Sequence, residues 1–310
     1  MNVDTRLLTG LGTFISVMET GNFVRAAEVL GLTPSGVSRS IARLEERVGV
    51  RLFERNARST LVTEAGQALF NEVSPLLIGI SEATGYAGTG ARLVRGRLRV
   101  NCDGWFASIM LAPRLQPFLD AYPDLELDLF VRESNGDLVS DGFDVAIRFG
   151  APDVSGLVTR KLLETRILTC ASPAYIARYG QPQHPRELAD AHHQCLLFRD
   201  PSTGRPFDWE FHRAGEIRPV KVNGRIVMND IATARAACVA GLGIAQLMAL
   251  GTDEMLADGR LVELFPEWNE ERFPLHAYYP SRHLCPNRVR AFMDFISGMV
   301  ISTEISGVDK

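Results

Sequence analysis

Between positions 33 and 58 the chain sets small hydroxyls and guanidinium groups at helical spacing, a combination suited to base edges and phosphates. Thr33 is a good N-cap, and Pro34 fits the first helical position, where its missing N–H would be unpaired in any case. From there Val37, Ile41, Leu44 and Val48 recur at steps of four, three and four, which predicts one buried helix face. At about 100° per residue, Ser35 and Arg39 point directly away from that face. Arg43 lies beside them and Ser38 on the flank. Such a helix can enter a DNA major groove. An ordinary surface helix with solvated charges is the alternative for this pattern taken alone.

The flanking residues supply what must position that helix. Residues 24–30 predict a short helix with Ala26, Ala27 and Leu30 as its apolar contacts, capped by Asn22, with Phe23 turned inward. Gly31-Leu32-Thr33 then makes the turn of a helix-turn-helix. Upstream, Leu7, Leu8, Leu11, Phe14, Ile15 and Met18 line one side of an amphipathic helix ended by Gly21. Downstream, Val50, Leu52 and Phe53 suggest a strand, residues 56–59 a loop, and Leu61-Val62 a returning strand. That hairpin would be a wing with Arg55 and Arg58 near its tip.

The run from Gly21 through Thr33-Pro34-Ser35-Gly36-Val37-Ser38-Arg39 resembles the N-terminal signature of LysR-type transcriptional regulators. It continues in register through Leu44-Glu45, Val48-Gly49-Val50, Leu52-Phe53-Glu54-Arg55 and Leu61-Val62-Thr63-Glu64-Ala65-Gly66. The resemblance implies that Pro34, Ser35, Ser38 and Arg39 meet bases and phosphates, with Arg58 as the wing arginine. Pro34 occupies a position where relatives often carry a base-reading glutamine.

At 310 residues, 46% hydrophobic and 23% charged, the chain has the composition of a globular protein of two or three domains. No apolar run is long enough to cross a membrane, and no secretory signal opens the chain, so the expected location is the cytoplasm, with no membrane partner. The net charge of −4 argues against DNA binding only until it is resolved locally. Residues 39–58 hold six arginines against three glutamates, and phosphate responds to the field at one face. The five cysteines (102, 170, 195, 238 and 285) are widely spaced and lack any CxxC pair, which favours free buried thiols over a redox pair. His192, His193 and Cys195 lack a partner pair for a metal, so neither metal nor cofactor is expected.

Thr63 opens a further helix that runs to about residue 89, on the order of 40 Å. Leu69, Val73, Leu76, Ile80 and Ala83 repeat at four and three, a heptad seam that asks for a partner helix. The family resemblance supplies one, a second copy of the chain in a homodimer or homotetramer. Pro75 should kink or loosen one turn. From residue 96, strands (98–102, 125–132, 145–149) alternate with helices (109–121, 136–141), which predicts a parallel sheet covered by helices. A second unit begins near residue 165, with a strand to 171, a helix at 173–179 and strands at 195–198 and 226–228. A hairpin follows over 207–222, then a helix at 230–240. A strand at 275–279 returns to the first unit, a helix closes it at 286–299, and residues 302–310 form a disordered tail.

Gly142-Phe143-Asp144-Val145-Ala146-Ile147-Arg148, Ala171-Ser172-Pro173-Ala174-Tyr175 and Gly241-Leu242-Gly243-Ile244-Ala245 resemble the effector domain of the same family. The resemblance implies a two-lobed α/β fold of the periplasmic-binding-protein type (type II) behind an all-α, winged N-terminal domain. The expected layout is a winged helix-turn-helix at 1–62 and a linker helix at 63–92. One lobe takes 93–164 plus 269–301, and the other takes 165–268. Ligands of open α/β sheets bind at strand carboxyl ends. That rule selects Asp103, Trp105, Phe106, Glu133, Asn135 and Arg148 in the first lobe, and Phe198, Arg199, Asn229 and Asp230 in the second. A helix N-terminus and two arginines favour a small organic anion. Arg148 could instead be a strut, Trp105 a core residue and Asp230 only a cap, and Asp103 would repel an anion. The expected function is a sequence-specific regulator that binds double-stranded DNA and a small effector, with RNA polymerase as a partner implied by the family. An enzyme finds no support in GxSxG, GxxxxGK[ST] or HExxH motifs. A solute-binding module without a DNA role leaves the N-terminal head unexplained.

Overall fold

The computed structural model describes residues 5–56, 59–89, 94–132, 142–150, 157–190, 192–201, 203–279 and 285–308. The head opens with α1 (Thr5–Thr20), α2 (Phe23–Leu30) and α3 (Pro34–Val48). Asn22 caps α2 by accepting from Val24 N at 2.7 Å, and Gly31 ends it in the left-handed conformation. Thr33 caps α3 by accepting from Gly36 N at 3.1 Å. Val37, Ile41 and Leu44 are buried with Phe14, Ala26 and Ala27, while Val48 and Leu30 are exposed, at the rim of the core instead of inside it. Phe14, Phe23 and Phe70 all pack near Phe53 or one another, with ring centroids 5.5 to 6.5 Å apart. Each buried ring contributes roughly 1.5–3 kcal/mol, which matters in so small a head.

The wing is the antiparallel pair β1 (Phe53–Asn56) and β2 (Ser59–Val62), with Asn56 opposite Ser59. The hairpin is tighter than expected, because residues 56 and 59 belong to the ladder and the first strand starts at Phe53. The long helix α4 (Glu64–Thr89) runs as one element through Pro75. Leu69, Phe70, Val73 and Leu77 pack on the head's own core. The seam is therefore corrected in its first half: Leu69 and Val73 serve the head, whereas Leu76 and Ile80 are 46% and 52% exposed. The side chain of Ala83 lies outside the described residues.

The first lobe starts with β3 (Gly96–Cys102), followed by α5 (Gly104–Phe106), a π-turn at Ala107–Leu111, a 3-10 turn at Ala112–Arg114 and α6 (Gln116–Ala121). One continuous helix was expected there. The wide turn, in which Ala112 N–H reaches Ala107 O, and Pro113 and Pro117 behind it break the helix into pieces. Next come β4 (Leu125–Val131) and β5 (Val145–Phe149), both parallel to β3. The helix expected at 136–141 lies outside the described residues.

The second lobe holds α7 (Pro173–Tyr179), β7 (Cys195–Phe198), the hairpin β8 (Trp209–Arg213) and β9 (Glu216–Val220), then β10 (Ile226–Met228) and α8 (Ile231–Val239). It is completed by β11 (Ile244–Met248), α9 (Asp253–Ala257) and β12 (Val262–Leu264). Joining the lobes is β6 (Val158–Ala171), longer than the expected strand that began near residue 166. Its first half pairs with β13 (Arg272–Tyr279), and its second half with β11 and β12, antiparallel throughout. The sheet is thus parallel among β3, β4 and β5 and among β7, β10 and β11, and antiparallel wherever β6 and β13 meet their neighbours, a correction to the all-parallel expectation. Finally α10 (Asn287–Val308) closes the first lobe over Leu98, Val100 and Ile147 through Phe292 and Ile296. The helix continues through the segment expected to be a disordered tail, as far as Val308.

Candidate nucleic-acid interface and effector cleft

Ser35, Arg39 and Arg43 are exposed on α3 opposite its buried face, Thr33 and Pro34 are exposed at its start, and Ser38 is half-buried on the flank. Thr33 and Ser35 share a hydroxyl contact at 3.1 Å, and Arg39 Nε donates to Ser35 O at 3.3 Å, which lays the guanidinium along the helix. The helix is fastened from behind by Ser40 Oγ, 3.0 Å from Thr13 Oγ1 of α1. Arg55 has its backbone in β1 and its side chain outside the described residues, as is all of Arg58.

What ties wing to helix is Glu45. Its Oε1 accepts from Leu52 N at 2.8 Å and Phe53 N at 3.2 Å, so the base of the wing hangs from the last turn of α3. On the other side Thr63 Oγ1 donates to Arg51 O at 2.7 Å. A Cβ on Gly66 would lie 2.3 Å from Leu52 O, so only glycine lets α4 cross the wing base this closely.

In the second candidate site, Asp103 follows β3 and caps the next helical turn, accepting from Phe106 N at 2.9 Å. Burial pushes its carboxyl above the usual range; the Phe106 and Trp105 amides and Arg148 oppose that, and Asp230 adds to it. Arg148, at the end of β5, donates to Arg132 O and is itself desolvated, which lowers its pKa against the opposing pull of Asp103. Asp230 caps α8, accepting from Thr233 N at 2.8 Å and Thr233 Oγ1 at 2.5 Å, and the hydroxyl bond holds its pKa down. The charges of Arg148 and Asp230 thus both act on the Asp103 carboxyl.

Phe106 is fully buried in the first lobe's core. Trp105 is also enclosed, with its indole N–H donated to Leu250 O at 2.8 Å. Arg199 is exposed and donates to Gly204 O at 2.5 Å, bracing its own loop. Phe198 stacks on Phe207 and packs on the second lobe's core. Asn229 is exposed in the turn before α8. Glu133 and Asn135 lie outside the described residues. Of the five cysteines, all free, four are buried and Cys285 is half-buried. Burial pushes the Cys195 and Cys238 thiols up to about 12, and Cys102 and Cys170 further. Among the described residues no group of three ligating side chains could hold a metal ion, and no helix is long and apolar enough to cross a membrane.

Two family models match the chain: the bacterial regulatory helix-turn-helix of the lysR family over residues 8–67, and the LysR substrate binding domain over residues 91–300. The chain belongs to the LysR family of transcriptional regulators. Its similarity to the HTH-type transcriptional regulator YcaN of Escherichia coli is 34% identity over 295 residues, covering 93% of this chain and 94% of YcaN. Among solved structures it resembles CrgA, a LysR-type transcriptional regulator from Neisseria meningitidis, with TM-score 0.61 and 32% identity over 97% of this chain and 99% of that one. The full-length Vibrio cholerae virulence activator AphB is similar at TM-score 0.59 and 29% identity, covering 94% and 98%. This LysR-family chain is thus a DNA-binding transcriptional regulator with an effector-binding domain.

Sequence reasoning missed Glu45. A carboxylate in the last turn of a helix opposes the macrodipole and needs another partner, which was a usable signal. Arg235 of α8, whose guanidinium lies 4.4 Å over the Trp105 ring, carried no such signal, since the contact spans the two lobes of the LysR effector domain.

Proposed function

We propose that α3 of this regulator lies in the major groove, where Thr33, Pro34, Ser35, Ser38, Arg39 and Arg43 read bases and fix register, while Arg55 and Arg58 of the wing hold phosphates. The observation that carries this reading is the exposed Ser35–Arg39–Arg43 face with a wing hung from the same helix through Glu45. The chain acts in the cytoplasm as a homodimer or homotetramer paired through the exposed part of α4, contacts RNA polymerase, and regulates without catalysing a reaction. An effector that prefers one lobe arrangement shifts the population of assemblies and so the spacing of paired heads, a coupling of typically about 1–3 kcal/mol.

The effector class follows from the cleft. Asp103, Arg148 and Asp230 together carry one more negative than positive charge when ionised, so a simple anion gains no net attraction from them. A small zwitterion does, with its carboxylate on Arg148 and its cationic nitrogen between the two aspartates.

Selection from randomised duplexes should recover a defined site for the full chain. On that site Ser38→Ala or Arg39→Ala should cost about 1–3 kcal/mol, and less on random DNA. Arg58→Ala should instead weaken all duplexes alike and reduce the salt dependence. No enrichment of any duplex would overturn the reading. For the effector, thermal-shift screening should find stabilisers among amino acids ahead of simple carboxylates, with the shift lost in Arg148→Gln. Stabilisation by carboxylates alone would restore the anion.

A further inference from the structure

We infer that Trp105 and Arg235 form a latch between the lobes, acting as positioning residues that fix the angle at which Asp103 and Arg148 face Asp230. The inference rests on the cleft reading above only for its consequence; the latch itself stands on its own geometry.

Trp105 belongs to the first lobe and its partners to the second. Its indole N–H donates to Leu250 O at 2.8 Å, in the turn after β11. Across the ring lies the Arg235 guanidinium, 4.4 Å from the centroid, and Arg235 Nη1 donates to the neighbouring carbonyl, Gly251 O, at 2.9 Å. Two successive carbonyls of one turn thus accept from two lobes, with ring and cation stacked between them. The fit depends on residue 251. Its φ is +80°, and a Cβ there would lie 2.7 Å from Trp105 Cζ2 and 2.9 Å from Ile109 Cδ1.

The latch is wired to the cleft at one end and to the strand joining the lobes at the other. Asp103 caps the helical turn that carries Trp105, so a ligand that drew on its carboxylate would pull on the ring two residues later. Behind the turn, Leu250 lines a cavity of about 230 Å³ together with Met110, Leu163, Ala249 and Val300. The turn is held to β6 there, with Leu250 N donating to Thr165 Oγ1 at 3.0 Å and Ala249 N to Arg166 O at 2.8 Å. An apolar filler would need neither the directional N–H bond nor the cation over the ring.

The test measures interlobe distance in the full chain with no effector and no DNA, so its outcome is independent of what the cleft binds. Spin labels are placed at Ala121→Cys on α6 and Ala177→Cys on α7 in a Cys285→Ser background. Labelled chain is diluted with unlabelled chain, so that each assembly carries one pair. Trp105→Phe keeps an aromatic ring and removes the N–H; it should roughly double the width of the distance distribution at unchanged secondary structure. Arg235→Met should broaden it less, and Gly251→Ala should shift its mean. Should Trp105→Phe fail to fold, the other two variants decide. Unchanged distributions in the variants that fold would reduce Trp105 to core filling and overturn the latch.

Discussion

At the scale of single residues, several side chains have roles fixed by what their neighbours accept or donate. His193 is buried, and its Nδ1 lies 3.4 Å from the Tyr175 hydroxyl, which already accepts from Gln194 N at 2.9 Å. That hydroxyl can donate its own proton to the ring nitrogen only while the nitrogen is deprotonated. Burial, and next His192, hold the His193 pKa below its usual value, against Glu187 and Asp190. The sign follows: unfolded chains take up the proton first as pH falls, so stability is full above about pH 6.5 and declines below it. Urea unfolding between pH 7.5 and 5.5 should show the midpoint falling, and His193→Gln should flatten the fall; an equal slope in the variant would remove His193 from the account. This role was not legible from His192-His193-Cys195, because nothing in the sequence places Tyr175 beside them. Arg148 and Asp103 were legible as strand-end groups, since β3 and β5 end at or beside them. Phe106 was not, because its place after a strand end fits a cleft residue and a core residue equally well.

At the scale of elements, periodicity located most helices and strands, missed β11, α9 and β12, and failed where two structures compete for one apolar residue. The heptad of α4 is one such case. Leu69 and Val73 satisfy the same spacing as Leu76 and Ile80, yet the first pair sits under the head and the second on open surface. Asp substitutions should therefore separate the two roles. Leu76→Asp with Ile80→Asp should halve the mass seen by light scattering while the head keeps its melting transition, whereas Leu69→Asp should lower that transition. An unchanged mass in the double variant would leave α4 without a partner helix. The junction was hidden for a related reason. The first half of β6 sets Val158-Thr159, Arg160-Lys161 and Leu162-Leu163 in pairs, so it lacks the alternation of a half-buried strand, and its partner β13 lies more than a hundred residues away in the chain.

At the scale of the whole molecule, the head and the two lobes are each stabilised by a core of their own, the start of α4 packing on that of the head, with Asp144 and Arg288 clamping α10 to the first lobe at 2.8 Å. The architecture was readable because the family's motifs fall at turns and strand ends that backbone geometry requires. The effector was not, because its contacts are assembled from segments distant in the chain. One feature of the architecture constrains how such a chain can change over time. Since β6 is a single strand serving both lobes, adding or deleting one residue midway would turn every later side chain of that strand inside out. Leu168 and Cys170 would then exchange faces with Thr169 and Ala171 and spoil the packing between the second lobe's layers while the first lobe stayed intact. Length variation among descendants of this gene should accordingly collect in the surface loops and spare the shared strand.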